Sequence, residues 1–513
     1  MTASDPTTDR DLVPRWRTFG STVRARETES FERVNGGDRK PADIEEQERN
    51  FAKFPGLAAA ADLVGAALVL GVKTDSTIRA AEMLTQDPTS SESLVELGRS
   101  LLDEDGSRPE GWDSDDLHTI VDVEGIRRRA HNLRAVLRRE PRNAVRWTDL
   151  ALAHTVLGNT EHAEQDMRIA LKLAGTNRFV LRAAVSLYVH LGQPDVAHRL
   201  ITRDLSLLSD PWIAAAEIAT AEMAGRSPKS VRTGGAILRD GRGPSPWHSS
   251  ELASELAMVE VRAGHSRPAR RLMELALREP TDNAAAQAEW AKIHGLITVA
   301  EPLDLSLPRT FEARSRRSAA EGKWSASVHD GMRWIADQPF AVEAARFTSY
   351  VAAVGAEDYV HSELASRAGL IANGSDRLLR NNLVFALANQ DKLEEAQEQF
   401  GLIDRDGLDT HELSVLTATE GFLRFRHGSP TEGRVLYRRA VDAALRAKRE
   451  DVARLASIFW AREELLSPPT TESSSALGQA LAVAGDAEDE IVRLWWHRLL
   501  EIAQTQHRTD GPG

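Results

Sequence analysis

The chain has 513 residues, is 42% hydrophobic and carries a formal net charge of -13. That length and apolar content suffice for several domains or one long solenoid with a substantial core, while the acidic balance argues against global attraction to nucleic acid or anionic membranes. The absence of cysteine excludes disulfides, zinc ribbons, iron–sulfur clusters and thiol catalysis, and the dominance of Ala and Leu over aromatics favours packed helices over sheets.

Residues 1–50 are polar and broken by Pro6, Pro14, Gly36, Gly37 and Pro41, which predicts a flexible N-terminal arm. Within it VPRWRTF places Trp16 and Phe19 in an isolated apolar spot. That spot reads either as a segment docking on the body or as a short motif for a partner. No secretory signal is apparent at the N-terminus. The apolar run from Gly56 to Val72 is too short and too rich in small residues for a membrane span and reads as a buried hairpin helix, so the expected location is cytoplasmic.

Helical periodicity continues through Ile78, Ala81 and Leu84, then Leu94, Leu97 and Leu101. Residues 103–116 are acidic and rich in turn formers, an exposed loop. A helix over Ile126–Arg139 ends at Glu140-Pro141. The stretch 144–175 then gives the clearest pattern. Trp147, Leu150, Ala151, His154 and Leu157 recur at helical spacing, Gly158-Asn159 breaks the run, and Ala163, Met167, Ala170 and Leu171 resume it. That is a helical hairpin. At 34 residues' distance Leu181, Ala184, Val185, Tyr188, Gly192, Ala197 and Ile201 occupy the same slots.

This register resembles the tetratricopeptide repeat, a helical hairpin of about 34 residues with a Trp…Leu-Gly…Tyr first helix and an Ala…Phe second helix. Here Ala151, His154 and Met167 stand in the usual Gly, Tyr and Phe slots. A degenerate unit starts near Trp212, where a glycine-weakened second helix is expected; the pattern is restored from Glu251, outlined again by Gly322, Trp324, Trp334 and Pro339, looser from Val342, strong over Arg377–Phe400, and present once more over Leu413–Arg449. The resemblance implies an all-α solenoid of such hairpins, forming a right-handed superhelix with a disordered arm and C-terminal capping helices. The expected divisions are an arm at 1–50, a first repeat half at 51–299, a linker at 300–310, a second half at 311–466, and a linker with capping helices at 467–513.

Chemistry is sparse. No GxxxxGK[ST], HExxH or GxSxG motif occurs. Residues 239–246, RDGRGPSP, read as a loop in which Pro244 and Pro246 block a following helix. His154 with His162, and His190 with His198, lie across turns but lack a carboxylate at ligand spacing. No catalytic residue, metal or cofactor is expected, and the chain reads as a non-enzyme. Eight arginines fall between Ile126 and Arg146. Arg127, His131, Arg134 and Arg138 share one helical stripe, either a candidate anion-binding surface or a solvated face.

What the resemblance adds is a concave groove lined by the first helices. It implies partner-binding positions at Val145, Thr148, Leu152, Phe179, Arg182, Ser186 and His190, and at Asn381, Phe385, Asn389, Phe422 and Arg426 in the second half. Phe179, Arg182 and Leu152 are expected to be open, and to be covered by a partner or by the arm. Trp147 and Tyr188 are expected to fill hairpin cores. The lysines of a carboxylate clamp are missing around Asn381-Asn382. The function expected is a scaffold or adaptor that binds a partner protein or peptide, with neither nucleic acid nor membrane as partner and the oligomeric state open. The alternatives are a regulatory or sensor subunit of a bacterial multi-gene signalling or defence system, and a nucleic-acid-binding solenoid using the stripe from Arg127 to Arg138.

Overall fold

The computed structural model describes residues 10, 12–17, 42–70, 74–90, 94–95, 98, 101–102, 121–239, 246–298, 305, 307, 309–484 and 490–509. Among them are 24 α-helices and no strand. They divide into two compact units, residues 10–313 and 314 onward.

In the first unit α1 (Ala42–Lys53), α2 (Leu57–Leu70) and α3 (Asp75–Gln86) come first. The apolar run expected to be a buried helix is α2, with Ala60, Leu63, Val64 and Ala67 buried. Helix α4 (Val123–Leu137) precedes the hairpins α5/α6 (Ala144–Val156, Thr160–Ala174), α7/α8 (Arg178–His190, Pro194–Ile201), α9/α10 (Pro211–Met223, Val231–Arg239) and α11/α12 (Pro246–Arg262, Ser266–Ala276). Then come α13 (Asp282–Ile293) and α14 (Phe311–Ala320), within which the two units divide. The second unit holds α15 (Trp324–Asp337), α16/α17 (Val342–Tyr350, Tyr359–Ala372), α18/α19 (Arg377–Asn389, Leu393–Gly401), α20/α21 (Thr410–Arg426, Pro430–Arg446), α22 (Glu450–Leu466), α23 (Ser473–Ala484) and α24 (Glu490–Thr509).

Local chemistry explains the hairpins. Several of the first helices start at side-chain caps. Asn143, Asn177, Thr281, Asp376 and Asp409 each accept a hydrogen bond from the backbone N–H three residues on, which satisfies an otherwise unpaired donor. They end in a repeated left-handed turn. Gly158 and Gly192 have φ of 72° and 68°, and the following N–H donates back to His154 and Tyr188 respectively, at 2.9 and 2.7 Å. This closure favours glycine because a Cβ is strained at positive φ. The same turn recurs at Gly225, Gly264, Gly295, Gly322 and Gly428.

The two helices of a hairpin are unlike. Second helices bury one stripe: in α12 only Ala269, Met273 and Ala276. First helices in the first unit are buried all round, over Thr148–Val156, Arg178–Tyr188, Pro211–Ala221, His248–Met258 and Asn283–Ala291. Helices without a polar face belong in an interior.

Several expectations are corrected. Pro246 does not block a helix but begins α11, since proline at the first helical position forfeits no hydrogen bond; residues 240–245 of that loop lie outside the described residues. Gly234 lets α10 approach α11, because a Cβ there would lie 2.9 Å from Leu252. Trp147 is only half-buried, its indole N–H donating to the Pro141 carbonyl at 2.9 Å, whereas Tyr188 is buried. The segment read as a linker before the caps is helical from Ser473. The acidic loop at 103–116, Phe19, and most of 300–310 lie outside the described residues.

Candidate functional site: the inner faces of the two units

The first helices α7, α9, α11 and α13 meet on the inner side of the first unit. Phe179, Arg182, Ser186 and Leu152, expected to be open, are all buried. The reason is a connection that skips a hairpin. Arg182 on α7 donates to Glu251 on α11 at 2.8 Å, with both side chains at least 96% buried, and its guanidinium lies 4.2 Å over the Trp212 ring of α9. Three successive first helices are thereby drawn together, leaving no open groove at these positions. His190 and Val145 are half-buried and Thr148 is buried.

Part of the segment expected to be a flexible arm is packed in this unit. Residues 12–17 form no helix or strand, yet Leu12 is 0% and Trp16 2% exposed. This matches the docking alternative for VPRWRTF. Arginines anchor this strap. Arg10 donates through Nε and Nη2 to the two oxygens of Glu312, both at 2.8 Å, through Nη1 to Gln287 Oε1 at 2.8 Å, and again through Nη2 to Asn283 Oδ1 at 2.9 Å. Arg15 also donates to Glu312. Arg17 donates to Asp282 at 2.6 Å, and Arg15 is ion-paired to the same carboxylate at 3.5 Å. The Asn283 amide donates to the Val13 carbonyl at 3.0 Å. Asn283 and Gln287, four residues apart, share a face of α13, and both are 1% exposed. A planar guanidinium with five donors suits such a fork of acceptors; an ammonium does not.

Sequence reasoning missed Asp282, Asn283, Gln287 and Glu312. The signal was there: DNAAAQAEWAKI sets Asp, Asn and Gln among the alanines of its first two turns, polar groups that burial obliges to find partners.

The inner positions of the second unit are filled differently. Phe385, Phe422 and Phe459 stand with ring centroids 5.2 Å apart, from Phe385 to each of the others, and Trp495 of α24 lies 4.8 Å from Phe459. The Arg462 guanidinium lies between 5.2 and 5.8 Å from all four rings and donates to Asn389 Oδ1 at 3.0 Å. Arg426 pairs with Glu463 at 3.0 Å. The Trp495 indole donates to the Val354 carbonyl at 2.7 Å, inside a π-helical turn over Val351–Gly355. Asn381 and Phe422 are buried, and Phe385, Asn389 and Arg426 half-buried. These positions are likewise not an open groove.

The stripe Arg127, His131, Arg134 and Arg138 is exposed along α4. Arg127 pairs with Glu124. Arg134 reaches His154 Nε2 at 2.9 Å, whose Nδ1 lies 2.7 Å from Asp166; with the arginine donating to Nε2, Nδ1 carries the proton to the carboxylate. His154 and His162 rings are 5.4 Å apart. Among the described residues no helix is long and apolar enough to cross a membrane.

Capped, glycine-closed hairpins in register define a tetratricopeptide-like helical-repeat fold. No family model and no curated protein matches the chain. Among solved structures it is similar to human IFIT1 in a dimer with PPP-AAAA, at 14% identity over 70% of this chain and 90% of that one with a TM-score of 0.33. It is also similar to yeast Tom70, at 12% identity over 78% and 96% respectively with a TM-score of 0.30.

Proposed function

We propose that the chain is a protein-binding scaffold, not an enzyme, and that the first unit recognises a non-helical segment of a partner protein. The observation that supports this reading is the strap itself. Its side chains are read by Asp282, Gln287 and Glu312, and its backbone by Asn283. A surface that holds one such peptide in cis has the chemistry to hold another in trans. The carboxylates at this surface repel phosphates, which favours a protein segment over nucleic acid.

The test uses the full chain with Arg10→Gln, Arg15→Gln and Arg17→Gln, which frees the surface, and the synthetic peptide TDRDLVPRWRTFG, residues 8–20. Calorimetry is expected to show saturable one-to-one binding. A variant that keeps its helicity and melting temperature but takes up no peptide would contradict the reading.

A further inference from the structure

We infer that the Asn283–Gln287–Glu312 pocket is an arginine site for a partner segment, and that Arg10 occupies it, with the strap of residues 12–17, as a built-in competitor; this rests on the binding function proposed above. The pocket is specific in chemistry. One guanidinium meets two carboxylate and two amide oxygens, an arrangement that a lysine ammonium cannot fill with a single geometry. The Asn283 amide is oriented by its own bonds: the nitrogen donates to the Val13 carbonyl while the oxygen accepts from Arg10. It therefore reads a backbone and a side chain together, and only the latter demands a particular residue.

Asp282 adds a second cationic position, used by Arg17 and Arg15. The pattern read is thus arginine at the positions of Arg10, Arg15 and Arg17, with apolar residues at those of Leu12 and Trp16, both buried. Undocking of the strap removes the guanidinium from these buried acceptors, and a replacement arginine restores its bonds and so stabilises the undocked strap. Acidic or phosphorylated segments are excluded by charge. The occupant in trans is a partner protein bearing an arginine-containing, non-helical segment of this pattern.

The experiment compares the wild-type full chain with the triple Arg→Gln variant, each titrated with TDRDLVPRWRTFG and with its counterpart carrying lysine at the three arginine positions. The triple variant is expected to bind the arginine peptide at least tenfold more tightly than wild type does. It should prefer that peptide over the lysine form at least tenfold, and Glu312→Gln added to it should remove the preference. Equal affinity of wild type and variant, or no preference for arginine, overturns the inference while leaving peptide binding itself intact. Absence of any binding overturns the proposed function instead. A second readout keeps the native strap. The chain has no cysteine, so Leu12→Cys supplies a single buried thiol, whose labelling should accelerate at least tenfold with excess arginine peptide and not with the lysine form. An unchanged labelling rate contradicts the competitor role. A wild-type dimer that dissociates on the triple substitution would make the occupant a second copy of this chain and overturn the assignment to a partner.

Discussion

The two units cover their inner faces by opposite means. In the first, a short strap without secondary structure buries Leu12 and Trp16 and is positioned by guanidinium–carboxylate and guanidinium–amide bonds. In the second, a 20-residue helix, α24, is held by Ile491, Val492, Trp495 and Leu499 in the aromatic core. The difference is one of exchangeability. Buried ion pairs contribute little net stability, because desolvation offsets most of their attraction, and any segment with matched arginines reproduces them. Apolar burial contributes in proportion to area and is lost if the helix leaves. Similar hairpins thus build one inner face suited to exchange and one committed to stability.

The largest expected effect tests the committed side. Trp495→Ala removes a fully buried ring and strands the Val354 carbonyl, so it should destabilise the second unit by about 4–5 kcal/mol, measured by denaturant unfolding; a change under about 1 kcal/mol would break the contrast. Next is Arg182→Ala, which takes from the buried Glu251 carboxylate the guanidinium that pairs with it at 2.8 Å. A cost of about 3 kcal/mol is expected, with part recovered in a double variant with Met at 182 and Leu at 251. Loss of binding without loss of stability would restore the open-groove expectation for this residue. Arg10→Ala should cost about 1 kcal/mol or less in global unfolding, because local undocking of the strap lets water solvate the acceptors at Asn283, Gln287 and Glu312.

Smallest are two pH effects of opposite sign. Burial holds the His190 imidazole below the ordinary histidine range. The unfolded chain therefore binds this proton first, and stability falls as pH drops through about 6.5. In the second unit His361 is raised by its hydrogen bond to Asp358. Its contribution is complete below about 6.5 and is lost as pH rises through the folded value. Replacing His190 or His361 with Gln should each abolish the corresponding slope in stability against pH.

The hairpins were legible because their causes are local. Gly158 and Gly192 mark turns that only a left-handed residue closes, and Ala151, Ala163, Ala184 and Ala197 sit at helix crossings where they are buried. The inner faces were not legible, because their causes are distant in sequence. Arg182 meets Glu251 across 69 residues, and Arg10 meets Glu312 across 302. The resemblance placed Phe179 and Phe422 on an open face, yet the first helices themselves pointed inward. PWIAAAEIATAEM, for example, carries no polar side to turn to water. Trp16 was recognised as an apolar spot able to dock; nothing local indicated that Asp282 and Asn283 would meet its segment.

The most direct test of the central claim is to compare thiol exposure at two single cysteines in the otherwise cysteine-free chain. Leu12→Cys reports the strap and Leu499→Cys reports α24, both from buried positions. Labelling measured across urea concentrations below the unfolding transition should show Leu12→Cys reacting through a local opening with little urea dependence. Leu499→Cys should react only in step with unfolding of the second unit. Equal opening free energies with the same urea slope would contradict the account.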